Sequence, residues 1–239
     1  MQISEIYIKT KKVVFPLSIA LIADLHGVET GPIIEQLQTI CPDVITIVGD
    51  VIDKDDDLYP LAFFGECVKI ADTFFSLGNH ERKITEDNID AISTTGVRIL
   101  DNTWQKYKEC FCFGGMTSPF VMEWRETQQI RLKYALPYYK WLDDFQRQNA
   151  FRILLDHHPE NYARVTRAKD IDLILSGHAH GGQIRILGHG LYAPHQGFLP
   201  RYTSGVYENR LVVSRGLSNS KLIPRFGNPK EIVVVIIAN

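Results

Sequence analysis

The sequence predicts an α/β fold, and two features of its pattern indicate this class. Short apolar runs rich in β-branched residues alternate with amphipathic stretches, as strands alternate with helices in α/β proteins. Polar side chains that can bind a metal follow directly after five of the predicted strands. Ligands of open α/β sheets gather beyond the carboxyl ends of the strands, so we expect these side chains to meet at one edge.

The first half of the chain alternates regularly between predicted strands and helices. Apolar runs that end at a polar residue or a glycine indicate buried strands at 17–23, 44–48 and 73–77. Helical spacing indicates helices at 32–40, 60–70 and 85–95. Pro32 suits the first turn of its helix, and Thr85 is expected to be an N-cap.

The second half of the chain is less regular. Strands are predicted at 110–113, 153–155, 171–175 and 232–237. Gly114 and Gly115 are expected to end the first of these strands. Helices are predicted at 137–147 and 159–168, and a hairpin at 207–214 with its turn at 208–210. Because no repeat or linker is visible, we expect a single domain spanning residues 1–239.

Composition and charge exclude several classes of protein. Lys plus Arg is 26 and Asp plus Glu is 28, and the resulting net charge of -2 argues against a dedicated nucleic-acid binder. Residues 1–12 are too polar for the apolar part of a signal peptide, and the longest apolar runs have strand length. We therefore expect a cytoplasmic protein without an obligatory protein partner. Peripheral contact with a membrane stays open.

Five segments hold most of the residues suited to metal chemistry, including six of the eight histidines. The segments are Asp24-Leu25-His26, Gly49-Asp50-Val51-Ile52-Asp53, Gly78-Asn79-His80-Glu81, Asp156-His157-His158-Pro159 and Gly177-His178-Ala179-His180-Gly181-Gly182-Gln183. In an extended chain, residues two positions apart face the same side. Asp24 and His26 would then converge on one ion, and so would His178 and His180. Either pair alone would more often be surface or hydrogen-bonded residues, but their joint occurrence favours a metal site.

The types of donor narrow the choice of metal. Carboxylate oxygen, imidazole nitrogen and amide oxygen suit zinc, manganese, iron or magnesium better than copper or calcium. The five segments contain no cysteine, which argues against a closed structural zinc site. Asp50 follows Gly49 and has two oxygens, so it could bridge two ions, an arrangement suited to phosphoryl chemistry. Asp53 is expected to orient a ligand or to cap the turn.

These five segments, in this order, resemble the calcineurin-like metallophosphoesterase family. The family pattern reads D-x-H, G-D-x-x-D, G-N-H-[DE], a single H and G-H-x-H, and every element is present here. Residues 177–183 and 213–232 are similar to a bacterial branch that includes twin-arginine-exported phosphoesterases and UDP-diacylglucosamine hydrolases. The resemblance implies the metallo-dependent phosphatase fold, a four-layer αββα sandwich of two mixed β-sheets with flanking helices.

The resemblance also implies two divalent metal ions and a ligand set for each. One ion would be held by Asp24, His26 and His180 and the other by Asn79, His157 and His178, with Asp50 bridging the two. His157 stands two residues before Pro159, as the isolated histidine of the family does. The adjacent His158 stays the alternative for this one ligand.

The expected function is hydrolysis of a phosphomonoester, a phosphodiester or a pyrophosphate, with a metal-bridging hydroxide as the nucleophile. By the resemblance, His80 is the catalytic residue that protonates the leaving group or stabilises its charge, and Glu81 only adjusts the orientation of His80. The alternative is a catalytically weak metal-binding scaffold of the same fold. The H-x-H-x-D-H and H-E-x-x-H patterns of other metal hydrolases do not occur.

The sequence says least about the substrate, which could be a phosphorylated small molecule, a nucleotide or a lipid. Residues 116–148 are rich in aromatic side chains, which could cap a lipid or nucleotide group or could simply be core. These aromatic residues are Phe120, Trp124, Tyr134, Tyr138, Tyr139 and Trp141. Arg201, Arg215 and Arg225 could reach a phosphate or serve the structure.

Overall fold

Two six-stranded β-sheets form the centre of the computed structural model, which describes residues 1–53, 59–127, 140–218 and 224–239. The strands are β1 (Gln2–Lys9), β2 (Leu17–Ile22), β3 (Val44–Val48), β4 (Asp72–Ser76), β5 (Arg98–Leu100), β6 (Thr103–Tyr107), β7 (Phe111–Met116), β8 (Phe151–Asp156), β9 (Leu173–Ser176), β10 (Arg185–Ile186), β11 (His189–Gly190), β12 (Tyr192–Ala193), β13 (Gly197–Phe198), β14 (Gly205–Tyr207), β15 (Leu211–Val213) and β16 (Glu231–Ala238). The helices are α1 (Gly31–Ile40), α2 (Leu61–Ile70), α3 (Glu86–Thr94), α4 (Pro119–Thr127), α5 (Lys140–Gln146) and α6 (Asn161–Arg164). Short 3₁₀ turns lie at His80–Lys83, Thr166–Ala168 and His180–Gly182.

Both sheets are mixed, and each has parallel strands at its centre. The first sheet has the order β1-β16-β2-β3-β4-β5, in which β16 and β2 pair antiparallel and the other neighbours pair parallel. The second has the order β14-β15-β9-β8-β7-β6, with antiparallel pairs at its two ends. Three neighbouring strands of each sheet, β2 to β4 and β7 to β9, therefore end on the same side of that sheet.

The two sheets pack face to face, and helices cover their outer faces. Side chains of both sheets form the core between them, where Phe74 stacks on Phe113 with ring centroids 4.4 Å apart. Helices α1, α2 and α3 cover the first sheet, and Phe64 of α2 is fully buried in the core between these helices and the sheet. Helices α5 and α6 cover the second sheet and bury Phe145 and Tyr162. This arrangement confirms the expected four-layer sandwich.

Two local predictions, the N-cap at Thr85 and the hairpin at 207–214, are confirmed. Thr85 is the N-cap of α3, because its side chain accepts a hydrogen bond from the backbone N–H of Asn88, and Asn88 completes a capping box. The predicted hairpin is formed by β14 and β15. Its turn residues Glu208 and Asn209 have φ of 52° and 51°, as a type I′ turn requires.

The helices of the second half differ more from their predictions. The helix predicted at 159–168 is shorter, since α6 ends at Arg164 and a 3₁₀ turn follows it. The helix predicted at 137–147 appears as α5, whereas residues 137–139 lie outside the described residues. Within the four described ranges, no helix combines the length and the apolar character needed to cross a membrane.

One strand prediction is wrong, and the edge strand β1 was not predicted. The expectation that Gly114 and Gly115 end a strand is wrong, because β7 continues through both to Met116. A Cβ on Gly115 would lie 2.3 Å from the carbonyl oxygen of Leu100, so this glycine admits a neighbouring segment. The sequence also did not indicate β1, whose residues alternate between exposed and partly buried at the edge of the first sheet. Such an edge strand has no continuous apolar run.

We predict that replacing Gly115 by alanine destabilises the fold. The added Cβ would collide with the backbone of Leu100, which is held in β5 by its pairing with β4. The free energy of unfolding, measured by chemical denaturation, should fall by about 1–3 kcal/mol. Gly65→Ala is the matched control, because Gly65 lies in α2 with no atom within 4 Å of an added Cβ. This control should gain about 0.5–1 kcal/mol, and equal stability of the two variants would contradict the prediction.

Candidate metal centre

All seven predicted metal ligands lie at one edge of the protein, in loops that follow strands of both sheets. They are Asp24 and His26 after β2, Asp50 after β3, Asn79 after β4, His157 after β8, and His178 and His180 after β9. Among the described residues, four groups of His, Asp and Glu have donor atoms within 4.8 Å of one another, and six of the seven residues belong to such groups. The seventh, Asn79, contributes an amide oxygen close to His157.

Asp50 lies at the centre of this arrangement. Its Oδ2 atom is 3.2 Å from His157 Nε2, 3.7 Å from His26 Nε2 and 3.9 Å from His80 Nε2. Its Oδ1 atom accepts a hydrogen bond of 2.8 Å from the backbone N–H of His80. One carboxylate oxygen thus faces imidazoles from three different loops, while the other accepts a hydrogen bond from the backbone.

Asp24 forms a second centre beside Asp50. Both of its carboxylate oxygens accept hydrogen bonds from the backbone N–H of His178, at 3.0 and 3.1 Å. Asp24 Oδ1 also lies 3.8 Å from His180 Nε2 and 3.9 Å from His157 Nε2. The rings of His26 and His180 stack with centroids 5.2 Å apart. The first sheet therefore supplies the carboxylate, and the second sheet supplies the imidazoles that face it.

The structure places His157, and not His158, against the carboxylates. His157 Nδ1 donates a hydrogen bond of 2.7 Å to the carbonyl oxygen of Val48, because a carbonyl can only accept. The lone pair of Nε2 is then free to bind a metal, and Nε2 lies 3.2 Å from Asn79 Oδ1. His158 Nε2 is instead hydrogen-bonded to Ser118 Oγ at 2.8 Å.

The electrostatics of the site favour a cation. Burial lowers the pKa of His26 to about 4 and that of His178 well below its usual range, so both imidazoles are neutral at pH 7. Burial also acts to lower the pKa of His157, but the Asp50 and Asp24 carboxylates outweigh it and raise this pKa to about 10. The buried carboxylates therefore hold a positive charge in their midst.

The donor atoms also fit a metal ion by spacing and by their lack of other partners. The oxygen atoms of Asp24, Asp50 and Asn79 lie 3.2–3.9 Å from the nearest imidazole nitrogens of the site. Ligands bound at about 2.0–2.1 Å in a tetrahedral shell would be about 3.3–3.4 Å apart. His26 Nε2 is buried without a hydrogen-bond partner among the described residues, although buried polar atoms are normally paired.

Five of the predicted ligands have a strained backbone. Positive φ, between 45° and 63°, is found at Asp24, His26, Asp50, His178 and His180. Outside glycine this left-handed conformation is uncommon and costs roughly 1–2 kcal/mol per residue. Strain of this kind concentrates at functional sites, and contacts around the site must maintain it.

Glu81 maintains the loop that carries Asp50. Its buried carboxylate accepts hydrogen bonds from three backbone N–H groups, those of Asp50 at 2.8 Å, Val51 at 2.8 Å and Gly78 at 2.7 Å. Burial and the neighbouring Asp50 carboxylate raise the pKa of Glu81 to about 7. The expectation that Glu81 only orients His80 is therefore too narrow, because this side chain joins the loops after β3 and β4.

Glycines allow the loops to approach the carboxylates closely. A Cβ on Gly49 would lie 2.6 Å from Gly78 Cα, so the loops after β3 and β4 meet at a distance that excludes side chains. Gly216 has φ of +72°, and a Cβ there would lie 2.5 Å from Asp24 Oδ2. The missing side chain at Gly49 lets the loops after β3 and β4 meet beside Asp50, and the missing side chain at Gly216 leaves room for the Asp24 carboxylate.

His80 occupies a position at the rim of the site. Its Nδ1 lies 3.3 Å from Asp53 Oδ1, while its Nε2 faces Asp50 Oδ2. Asp53, which was expected to orient a ligand or to cap the turn, lies beside the proposed catalytic residue His80. The His80 side chain is 19% exposed, against 0% for His157, so a substrate can reach it.

The three arginines considered for phosphate binding have different surroundings. Arg215 forms an ion pair of 2.7 Å with Glu231 and serves the structure. Arg201 stacks on the ring of Tyr202 at 5.2 Å. Burial lowers the pKa of Arg225 to about 10, although the nearby Asp24 acts to raise it. Arg225 also donates hydrogen bonds to the backbone carbonyl oxygens of Ser218 and Arg215, so it serves the structure as well.

The aromatic stretch at 116–148 is described only in part. Tyr134, Tyr138 and Tyr139 lie outside the described residues, as does the side chain of Trp124. Trp141 packs against Phe145 in the outer core of the second sheet, as the core interpretation predicts. Phe120 stacks on His195, with ring centroids 5.1 Å apart.

His195 and Glu160 lie at the site, although the sequence did not indicate them. His195 follows a proline in a region of short hairpins, and Glu160 follows Pro159 in the segment of the isolated histidine. His195 Nδ1 lies 2.8 Å from His178 Nε2 and 3.6 Å from Glu160 Oε1. Neither residue stands at a strand end in a spaced pair, so only the folded chain reveals their position.

Comparison with known proteins gives a consistent result. A sequence model of the calcineurin-like phosphoesterase family matches residues 17–182, which include all seven predicted ligands and His80. The uncharacterized protein YpbG of Bacillus subtilis is similar to this chain, with 25% identity over 92% of the chain and 80% of the relative.

Two further relatives have more informative names. A transmembrane protein with metallophosphoesterase domain from Bos taurus is 28% identical over 92% of this chain and 53% of its own length. The phosphodiesterase YaeI of Escherichia coli is 27% identical over 85% of this chain and 76% of its own length. The chain thus spans about half the length of the bovine relative.

We predict that Glu81→Gln destabilises the protein and weakens metal binding. A glutamine amide has one acceptor oxygen, so at least one of the three N–H groups bound by Glu81 would lose its partner. The free energy of unfolding should fall by about 1–3 kcal/mol, and the metal content after dialysis should fall with it. The exposed Glu35 in α1 gives the control, Glu35→Gln, which should change neither quantity. Wild-type stability and metal content in Glu81→Gln would refute the role assigned to this carboxylate.

Proposed function

The chain belongs to the calcineurin-like phosphoesterase family, and we propose that it hydrolyses phosphate esters with two divalent metal ions held where its two sheets meet. The family and the clustered His and Asp residues make it a metal-dependent phosphoesterase. The presence of two ions, the ligands of each and the substrate are parts of the proposal.

One observation carries the proposal. Donor atoms from five loops of two different sheets converge on the Asp50 and Asp24 carboxylates, with separations of 3.2–3.9 Å. A single hydrogen-bonded cluster would not require imidazoles whose ring nitrogens are buried without partners, as His26 Nε2 is among the described residues. Two neighbouring carboxylates, each with its own imidazoles, suit two ions better than one.

We assign the ligands as follows. Asp24, His26 and His180 would hold the first ion, Asn79, His157 and His178 the second, and Asp50 would bridge them. The two groups formed by Asp24 with His26 and His180, and by Asp50 with His157 and His178, support this division. The mixed oxygen and nitrogen donors suit manganese, iron, zinc or magnesium.

When bound, such ions neutralise the phosphate oxygens and lower the pKa of water toward neutrality, so that hydrolysis proceeds without a protein nucleophile. The protein residues around them hold and transfer protons. His157 is fixed by its hydrogen bond to the Val48 carbonyl oxygen. The Asp50 Oδ1 atom is fixed by the His80 N–H, so that only Oδ2 faces the imidazoles.

His80 is the residue that we propose for proton transfer. Its Nδ1 lies 3.3 Å from the Asp53 carboxylate, which can orient the ring. The Nε2 atom lies at the rim of the Asp50 carboxylate, where it can donate a proton or a hydrogen bond to the leaving oxygen.

For the substrate we propose a phosphodiester of a small molecule, a nucleotide or a lipid. The similar protein from Escherichia coli is named a phosphodiesterase, which makes a diester the first substrate to test. Phe120 is 39% exposed next to His158 and His195, so an apolar or aromatic group could pack on it beside the site. A panel of nucleotides, nucleotide-sugars and phospholipids would define what the phosphate carries.

The test of the proposal is hydrolysis of bis-p-nitrophenyl phosphate by the purified chain, stripped with a chelator and reloaded with Mn²⁺. Hydrolysis should be absent after stripping and return with the metal. The alternative function, a catalytically weak metal-binding scaffold, predicts stoichiometric binding of the metal without turnover on diesters or monoesters. That result would overturn the enzymatic proposal.

We predict that Asp50→Ala removes metal and activity together. The variant loses the carboxylate that faces His26 and His157, so the donors of both ions are incomplete. Metal content should fall, and hydrolysis should fall by more than about 100-fold, beyond the usual loss from disturbing residues around a metal ligand. Asp90→Ala, at an exposed position of α3, is the control and should keep both. Full activity of Asp50→Ala at wild-type metal content would rule out the bridging role.

We predict that His80→Ala separates activity from metal binding. Metal content should stay near the wild-type value, because His80 is not in the proposed ligand set, while turnover should fall by about 100-fold or more. The loss should be larger for phenyl phosphate than for p-nitrophenyl phosphate, since the poorer leaving group depends more on a proton. His189→Ala, on the exposed strand β11, is the control. Loss of metal with unchanged turnover per bound metal would contradict the role of His80.

A further inference from the structure

We propose that the protein has a third cation site, formed by His158, Glu160, His178 and His195. The site lies beside the proposed pair of ions and would bind one transition-metal ion of the zinc class. Only His178 is shared with the ligands proposed for hydrolysis. The inference rests on the geometry of these four side chains and does not require the protein to be catalytically active.

Each of the four side chains has a donor atom within 4.8 Å of the donor atoms of the other three. His158 Nδ1 is 3.3 Å from Glu160 Oε1, and His195 Nδ1 is 3.6 Å from the same oxygen. His195 Nδ1 is also 2.8 Å from His178 Nε2. Ligands of a tetrahedral ion with bonds of about 2.0–2.1 Å are about 3.3–3.4 Å apart. The distances of 3.3 and 3.6 Å from Glu160 Oε1 are close to this spacing, whereas His178 and His195 are at hydrogen-bond distance and would have to move apart by about 0.5 Å to bind one ion.

The donor set selects the class of metal. Three imidazole nitrogens and one carboxylate oxygen suit zinc and its first-row neighbours. Magnesium and calcium prefer shells of oxygen, which these residues cannot provide.

The surroundings of these residues leave their donor atoms free for an ion. His158 Nε2 is bound to Ser118 Oγ at 2.8 Å, which leaves Nδ1 directed at Glu160. Glu160 is 8% exposed, and its Oε2 atom is buried without a hydrogen-bond partner among the described residues. A buried carboxylate oxygen normally has a partner, and a metal ion bound by both carboxylate oxygens of Glu160 would supply one for Oε2. The His195 side chain is 42% exposed, so an ion can reach the site from solvent.

His178 can belong to both sites only as an imidazolate, because a neutral imidazole has one N–H and one free lone pair. Its Nε2 lies 2.8 Å from His195 Nδ1, and His178 is also a member of the group formed with Asp50 and His157. Binding of the third ion would therefore release the ring N–H proton of His178 to solvent. The third ion would therefore be separated from the pair by one imidazole ring.

A simpler interpretation is that His195 only orients His178 through their hydrogen bond. That interpretation accounts for the distance of 2.8 Å between His178 Nε2 and His195 Nδ1, and Glu160 Oε1 would then only pair with His158 Nδ1 at 3.3 Å. It also leaves the Glu160 Oε2 atom buried and unpaired among the described residues. The two interpretations differ in whether Glu160 affects the number of bound ions.

The test is to count metal ions on the purified chain. The protein is stripped with a chelator, dialysed against Zn²⁺ and analysed by mass spectrometry of the metal, beside Glu160→Gln, His195→Asn and His189→Asn. We expect the bound zinc to fall from three ions per chain in the wild type to two in Glu160→Gln and in His195→Asn. The His189→Asn control changes an exposed histidine of β11 and should retain three. With Co²⁺ in place of zinc, both site variants should lose the share of the visible absorption that the third ion contributes, and keep the absorption of the other two.

Three outcomes overturn the proposal. Two ions on the wild type and the same two on Glu160→Gln would show that no third site exists. A weaker pair in His195→Asn with an unchanged count in Glu160→Gln would assign His195 to the positioning of His178. A count that falls equally in His189→Asn would show nonspecific binding. By contrast, a single Glu160-dependent ion that persists in Asp50→Ala would support the third site even if the proposed pair failed.

Discussion

The carboxylate of Glu81 holds together the two loops on which the site depends. It takes backbone hydrogen bonds from Asp50, Val51 and Gly78, and so joins the ends of β3 and β4. The left-handed conformation of Asp50 is unfavourable by itself, and these bonds offset its cost. Because the Asp50 carboxylate then receives the His80 N–H, one buried acid determines where the bridging oxygen and the proposed proton donor lie.

The second constraint is charge. Asp24 and Asp50 are buried almost completely, and a buried carboxylate is costly unless a positive charge compensates it. The carboxylates of Asp50 and Asp24 raise the pKa of His157, so they favour a positive charge at this position, which a bound cation would also supply. His26 and His178, whose pKa values are lowered by burial, supply neutral ligands at the same place. The site therefore combines acids that attract a cation with imidazoles that bind one.

Much of the fold and of the site could be predicted from the sequence, for specific physical reasons. Buried parallel strands have continuous apolar runs, and pairs such as Asp24 with His26 follow them at a spacing that a metal requires. The edge strand β1 could not be predicted, because half of its surface faces solvent and no apolar run marks it. Gly115 was misinterpreted as a strand end, because a glycine required by a close neighbour looks the same in sequence as one that breaks a strand.

The sequence by itself determined the α/β class, the five segments that carry the candidate ligands and the family to which they belong, because local apolar patterns and residue spacing encode these features. Tertiary structure decided the rest. The choice of His157 over His158 depends on the Val48 carbonyl oxygen, which belongs to the other sheet. The approach of His195 and Glu160 to His178 depends on loops that are distant in sequence. No local pattern encodes such contacts, because they exist only after the two sheets have packed together.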